Sequence, residues 1–331
     1  MKQFLVLILL SINSIGFSQD SLDSVPYNSY RNKIVLYSDL GFSSAPFTIR
    51  SDFDNNVNSL KYRHNQRLIM GLGFAYKWAA LRIGFGLPVL LRPVSRFGPS
   101  NYLDLGFKFN FRQTFWDFDF RNYNGYVLKD AYQWNDTLNS LSPNAKMPRT
   151  RSTSFSVNTW YFRSKDFRMN SVLGKVGDYN KSHGTWYFKG TLNLFGSTND
   201  EGGLLPVGLV DTTQNINRVS TITALDIGIV PGYAYVYRWE NWQAAGFGGL
   251  GGVLQSKFFA AEGQGRGFLG LAPRLDLRFI IGYSKAKYFL WLHTNFDVKS
   301  IRFRDLSYQQ TYNTIRLIAG MRLDKREKKK E

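Results

Sequence analysis

The chain contains no cysteine in its 331 residues. Disulfides, thiol chemistry and cysteine-ligated zinc are therefore excluded, as is a lipid anchor on an N-terminal cysteine. Histidine is scarce as well. His64, His183 and His293 are the only three, and their scatter gives no zinc spacing. Acidic residues are outnumbered, with 24 Asp and Glu against 42 Lys and Arg, a formal net charge of +18. Beyond the N-terminus no apolar run approaches the ~20 residues that a spanning helix needs. A mean hydropathy of -0.27 is too polar for a bundle of such helices.

What is abundant is aromatic: 27 Phe, 19 Tyr and 8 Trp, beside 30 Gly. That mixture fits a soluble all-β fold or a transmembrane β-barrel. The opening MKQFLVLILLSINSIGFSQD has one base, Lys2, then an apolar run from Phe4 to Leu10 and a polar stretch ending in small residues. It reads as a secretory signal peptide over 1–18, cleaved near Ser18–Gln19; a buried N-terminal helix is the blander alternative. Export argues against a nucleic-acid partner for the basic residues, which are dispersed through strand-like segments. Outer-membrane lipid and lipopolysaccharide phosphates are the expected anionic surroundings. The closing run at 325–331 reads as a short solvated basic tail.

Period-two alternation recurs along the chain. In LDLGFKFNF, Leu103, Leu105, Phe107, Phe109 and Phe111 oppose Asp104, Lys108 and Asn110. Similar segments start at Leu68, Leu81, Trp186, Leu269, Tyr288 and Ile315, with weaker ones near 33–42, 116–128, 151–162, 221–230, 232–239 and 243–256. About twelve strands result. Several reach ten or more residues, the length of a tilted membrane-crossing strand rather than of an ordinary soluble one. Long polar stretches at 43–66, 130–150, 163–183 and 196–219 read as loops. Pro231 and Pro273 interrupt strand candidates and suit an edge, bulge or turn. A soluble sandwich also alternates, but length, export and the continuous apolar face favour a transmembrane antiparallel β-barrel of about twelve strands in meander order. The expected layout is a periplasmic lead at 19–32, the barrel at 33–324 and the tail, in the outer membrane of a Gram-negative bacterium.

In this register Arg82, Asp104, Lys108, Arg112, Asp226, Arg274, Asp276, Arg278, Asp297 and Arg316 face the lumen. There they form a salt-bridged filling or the lining of an anion-preferring pore or transporter. A lipid-modifying hydrolase is a further alternative, since fold alone leaves catalysis open. It would need a serine and a third group around a base such as His293, and a satisfied wall histidine explains that residue better. Asp52 with Asp54, and Asp200 with Glu201, lack the spacing of a dedicated calcium loop. The glycine-rich stretch 246–267 lacks the Gly-Lys-Ser/Thr of a phosphate loop and reads as close backbone approach. No metal or cofactor is expected. With no compelling active-site cluster, the favoured reading is a non-enzymatic structural or accessory subunit that contacts other envelope proteins. Tyr132 and Trp134 are candidate contact residues.

Residues 71–88, GLGFAYKWAALRIGFGLP, lead into YLDLGFKFNF at 102–111 and DFDFRNYNGYVL at 117–128. Together they resemble a family of exported Bacteroidetes proteins defined as a conserved domain of unknown function and expected to form outer-membrane barrels. The resemblance lies in a glycine-aromatic hairpin ending in Leu-Pro and in an element formed here by Tyr123, Gly125, Tyr126 and Leu128. It implies fold and location, and carries over no chemistry. The chain departs from a common barrel pattern by continuing past its last strand into the basic tail.

Overall fold

In the computed structural model, the described residues are 25–53, 57–65, 67–90, 92–133, 138, 143–201, 203–206, 219–261, 264–304 and 306–324. The expected signal peptide, the start of the lead, the basic tail, Asp54 and Trp134 lie outside them.

Among the described residues there are sixteen strands: β1 (Tyr27–Ser29), β2 (Ile34–Ser44), β3 (Phe47–Arg50), β4 (Ser59–His64), β5 (Arg67–Tyr76), β6 (Ala79–Leu90), β7 (Asn101–Asn110), β8 (Thr114–Leu128), β9 (Ala145–Phe162), β10 (Gly177–Tyr179), β11 (His183–Asn199), β12 (Val219–Trp239), β13 (Trp242–Ala261), β14 (Gln264–Ser284), β15 (Tyr288–Arg302) and β16 (Ser307–Leu323). Two short helices, α1 (Val94–Phe97) and α2 (Met169–Val172), lie between them. Twelve of the strands, β2, β5 to β9 and β11 to β16, pair antiparallel in a closed ring, β16 returning to β2. Closure removes every free sheet edge at the base of the barrel, which a β-structure in hydrocarbon requires.

The alternation sorts side chains across this wall. Leu72, Ile83, Phe107, Phe188, Leu194, Leu277, Leu290 and Leu317 point outward and exposed. A soluble monomer rarely carries so large a contiguous apolar surface; here it forms the continuous outer belt of a transmembrane β-barrel. Two-residue turns, such as Lys77–Trp78 and Glu240–Asn241, join strands at the rim where β2 begins and β16 ends. This is the terminal rim.

At the far rim the ring narrows. The β3–β4 hairpin pairs with β16 through Phe47–Gln310 and with β8 through Tyr62–Leu128, closing over the shorter β6–β7 hairpin. The family-like element sits at this junction. β8 stays with β7 as far as Asn124, slips register, and meets β4 from Tyr126 onward. Gly125 supplies the slip with φ +81, where a Cβ would also strike the Pro99 carbonyl, so only glycine fits. Tyr123 then bonds Ser43 Oγ at 2.7 Å, and Tyr126 donates to the Ala45 carbonyl at 3.0 Å.

Two sequence expectations are corrected here and one is met. The stretches 221–230 and 232–239 form one 21-residue strand, β12, with Pro231 inside it. The ladder to β13 skips Val230 and Pro231 and resumes at Gly232–Gly249, so the missing N–H disrupts nothing further. Pro273 lies within β14, in a stretch, 264–276, that pairs with β13 but not with β15, which is the edge position expected for it. Along that seam Gln255 and Lys257 donate to the Ser300 and Arg302 carbonyls at 2.9 and 2.6 Å, in place of ladder bonds. Finally, 163–183 is not a plain surface loop. Its α2 and β10 fold inward, and β10 pairs with β1 of the N-terminal lead.

Candidate functional site

Two apolar plugs close the lumen, and a charged chamber lies between them. The far plug is an aromatic cluster including Phe47, Tyr62, Tyr126, Phe259 and Tyr308, with Phe47 stacked on Tyr62 at 4.4 Å between centroids. The terminal plug is the inward insert 163–182, whose Phe167, Met169, Val172 and Val176 pack against Tyr187, Phe247 and Trp291 of the wall.

Hydrogen bonds lock the insert in place. Trp291 Nε1 donates to the Gly174 carbonyl at 3.0 Å, and Gln243 Nε2 donates to the carbonyls of Ser171 and Val172 at 3.1 and 3.2 Å. Arg322, 2% exposed, gives Nε to the Lys175 carbonyl and Nη2 to that of Gly174, both at 2.7 Å. Gly174 has φ +68, and a Cβ there would enter the Trp291 indole.

The chamber, a cavity of about 130 Å³, is lined by nine Lys and Arg side chains against four Asp. Arg82 meets Asp39 through Nε and Nη2 at 2.6 and 2.7 Å. Asp104 takes Arg82, Arg316 and, at 2.7 Å, the Tyr102 hydroxyl. Asp276 takes Lys189 at 2.8 Å and the Tyr187 hydroxyl at 3.1 Å. Asp117 is shared by Lys108 and Arg278, each 3.6 Å away. Arg274 pairs with the buried Asp226, which also accepts from Gln255 at 2.8 Å. Lys299 reaches Ser154 and Ser156 at 3.3 Å and Asp297 at 3.7 Å.

The structure therefore brings Arg82, Asp104, Lys108, Asp226, Arg274, Asp276, Arg278, Asp297 and Arg316 to the interior. Arg112 is the correction. It sits in the β7–β8 turn, exposed at the terminal rim beside Trp78 and Phe111. The alternation ends at Asn110, so a register carried one turn further points nowhere inside.

Sequence reasoning missed Lys175. Its side chain is 7% exposed, lines the chamber, and lies over the Tyr37 ring with Nζ 3.6 Å from the centroid. Burial, then the nearby Lys108, push its pKa well below the ordinary lysine value. The signal was the apolar run Val172-Leu173 followed by Gly174-Lys175-Val176 inside an otherwise polar stretch. Asp39 and Asp117 were also missed, although each completes an ion pair with a wall cation that the alternation had placed.

Catalytic geometry is lacking among the described residues. His293 Nε2 is buried without a hydrogen-bond partner, so no serine is joined to that nitrogen. Ser164 Oγ and His183 Nε2 lie 3.0 Å apart at the terminal rim, but no carboxylate there orients the imidazole within ion-pair distance, as a triad requires. His64 Nε2 accepts from the Ala45 N–H at 3.0 Å and is structural. No group of three metal-ligating side chains occurs among the described residues. In the glycine-rich stretch, a Cβ on Gly249 would meet the Tyr187 hydroxyl at 2.7 Å and the Pro231 carbonyl at 2.9 Å, a close approach of strand to ring.

Residues 21–322 match the profile of a domain of unknown function, DUF4421. No curated protein matches the chain. Among solved structures it is similar to the outer membrane protease OmpT of Escherichia coli, at 8% identity and TM-score 0.40, over 92% of this chain and 100% of that one. It is also similar to the translocator domain of the autotransporter NalP of Neisseria meningitidis, at 7% identity and TM-score 0.33, over 97% of each chain. A third is an outer membrane channel of Pseudomonas putida F1, at 10% identity and TM-score 0.31, over 91% of this chain and 100% of that one.

Proposed function

The chain belongs to the DUF4421 domain family, whose description assigns no activity, and we propose that it serves as a closed, non-enzymatic barrel, a structural or accessory subunit of a cell-envelope assembly. The observation that carries this reading is the double closure. An aromatic plug fills the far end and a hydrogen-bonded insert fills the terminal end. A barrel whose interior is packed and ion-paired is a scaffold, and what it offers partners is its rims. At the terminal rim a groove of about 450 Å³, lined by Tyr27, Trp78, Phe111, Arg112 and Arg168, combines aromatic and cationic side chains. Such a mixture suits contact with another envelope protein. Export through residues 1–18, a Bacteroidetes source and belt contact with lipid and lipopolysaccharide belong to the same proposal.

Purification in mild detergent at native abundance tests it. A stable partner that is lost on Arg112→Glu supports the accessory role, and a consistently solitary barrel overturns it. A second reading, an anion-preferring conduit, draws on the cation excess of the chamber. It requires both plugs to yield, and planar-bilayer recordings distinguish the two: silence supports the scaffold, discrete anion-selective steps the conduit.

A further inference from the structure

The chamber's charge is unbalanced at one place. Where the insert meets β7, β14, β15 and β16, the side chains of Lys108, Lys175, Arg278, Arg316 and His293 converge on one cavity. The carboxylates nearby are already divided. Asp117 serves both Lys108 and Arg278 at the long distance of 3.6 Å, Asp276 serves Lys189 as well as Arg278, and Asp104 is taken by Arg82 and Arg316. Lys175 has no carboxylate within ion-pair distance among the described residues; its Nζ contact is the Tyr37 ring. Polar donors are left over as well. Arg278 Nε, Arg316 Nε and His293 Nε2 are buried without hydrogen-bond partners.

Burying an ammonium away from water without a counter-charge is costly, and so is leaving a buried donor unmade. A cavity of about 130 Å³ has room for several waters or for one small polyatomic anion. Water satisfies the donors but leaves the charge; an oxyanion answers both.

We propose that this cavity is a binding site for a phosphate group, held by Lys108, Lys175, Arg278 and Arg316 with His293 donating from Nε2. The ligand is free inorganic phosphate, since a cavity of about 130 Å³ between the two plugs has no room for a lipid. Because Lys175 rides on the insert while the other four belong to the wall, the bound group ties the terminal plug to the barrel. The site stands whether or not the barrel joins an assembly, since its ligands are all internal to one chain.

The test uses the full mature barrel, purified in phosphate-free buffer and titrated with inorganic phosphate by calorimetry and by ³¹P NMR. One saturable site per chain is expected. In Lys175→Met, which keeps the apolar stem over Tyr37, affinity should fall by about tenfold to a hundredfold, the effect of one charge-assisted contact. If Lys175→Met does not fold, Lys108→Met supplies the same comparison from the wall. A folded wild-type barrel that does not bind inorganic phosphate saturably overturns the proposal. So does binding that both lysine variants leave unchanged.

Discussion

Replacing Arg322 with alanine should undock the insert from the terminal end of the lumen. Arg322 gives two bonds of 2.7 Å to the insert carbonyls of Lys175 and Gly174, one of 3.0 Å to Ser284 Oγ, and a further one to the Lys285 carbonyl. Its guanidinium also lies 4.2 Å from the Tyr30 ring centroid, tying in the N-terminal lead. A hydrogen bond to a charged group contributes about 1.5–3 kcal/mol, so losing the two that end on the insert weakens docking by roughly 3–6 kcal/mol. That changes the docked-to-undocked ratio by roughly a hundredfold to ten-thousandfold. Trypsin reads the change directly. Lys175 is 7% exposed when docked, and cleavage at Lys175–Val176 follows the population of the open form. The wild type should resist cutting there, Arg322→Ala should be cut readily, and Arg322→Lys, which keeps the charge but not the planar fork, should fall between. Equal protection of wild type and Arg322→Ala would refute the lock. Rapid cutting of the wild type at Lys175 would refute the terminal plug itself.

Asp104→Asn should destabilise the barrel by about 3–5 kcal/mol, because it strips Arg82 and Arg316 of a shared buried carboxylate, whereas Asp200→Asn, opposite Arg151 with both side chains half exposed, should change stability by under ~1 kcal/mol; heat-modified gel mobility compares the two. Gly174→Ala should cost the insert about 1–3 kcal/mol from its positive φ alone, read as increased trypsin cleavage beside an intact belt. His64 lies in β4, whose outward residues Lys61 and Arg63 place it outside the apolar belt. Burial lowers its pKa from 6.5 to about 4. Between those values the unfolded chain binds the extra proton, so far-rim stability is full above about pH 6.5 and falls by roughly 3 kcal/mol as the pH drops to about 4. The hydrogen-exchange protection factor of the Ala45 amide, whose N–H the neutral imidazole accepts, should fall as the pH drops over that window and stay constant in His64→Gln.

The wall was legible in the sequence because lipid imposes a strict rule on it. Every second residue of Leu68 to Trp78 or of Leu269 to Ile281 meets either hydrocarbon or the interior, and a period of two survives tilt and curvature. For the same reason the interior charges of β6, β7, β14 and β16 could be placed before any partner was known. The rule stops where the strands stop. Arg112 was misplaced into a turn, and Pro231 looked like a break because the ladder that resumes past it, at Gly232–Gly249, depends on a partner strand that its own segment does not reveal. The plugs were hidden for a different reason. Insert residues 163–182 face a lumen rather than a bilayer, so their apolar residues follow no period, and the place of Lys175 over the Tyr37 ring is set by a contact between segments far apart in sequence. The β3–β4 hairpin was lost among Ser, Asn and Asp for want of an apolar outer face.

Quenching of tryptophan fluorescence by brominated acyl chains tests the central claim most directly. Trp186 is 53% exposed on the outer face, while Trp291 is fully buried against the insert. In brominated vesicles the account predicts that Trp186→Phe removes part of the quenched emission and that Trp291→Phe leaves the quenched part unchanged. Quenching that depends on Trp291 and ignores Trp186, or a mature protein that stays monomeric in water without detergent, would contradict it.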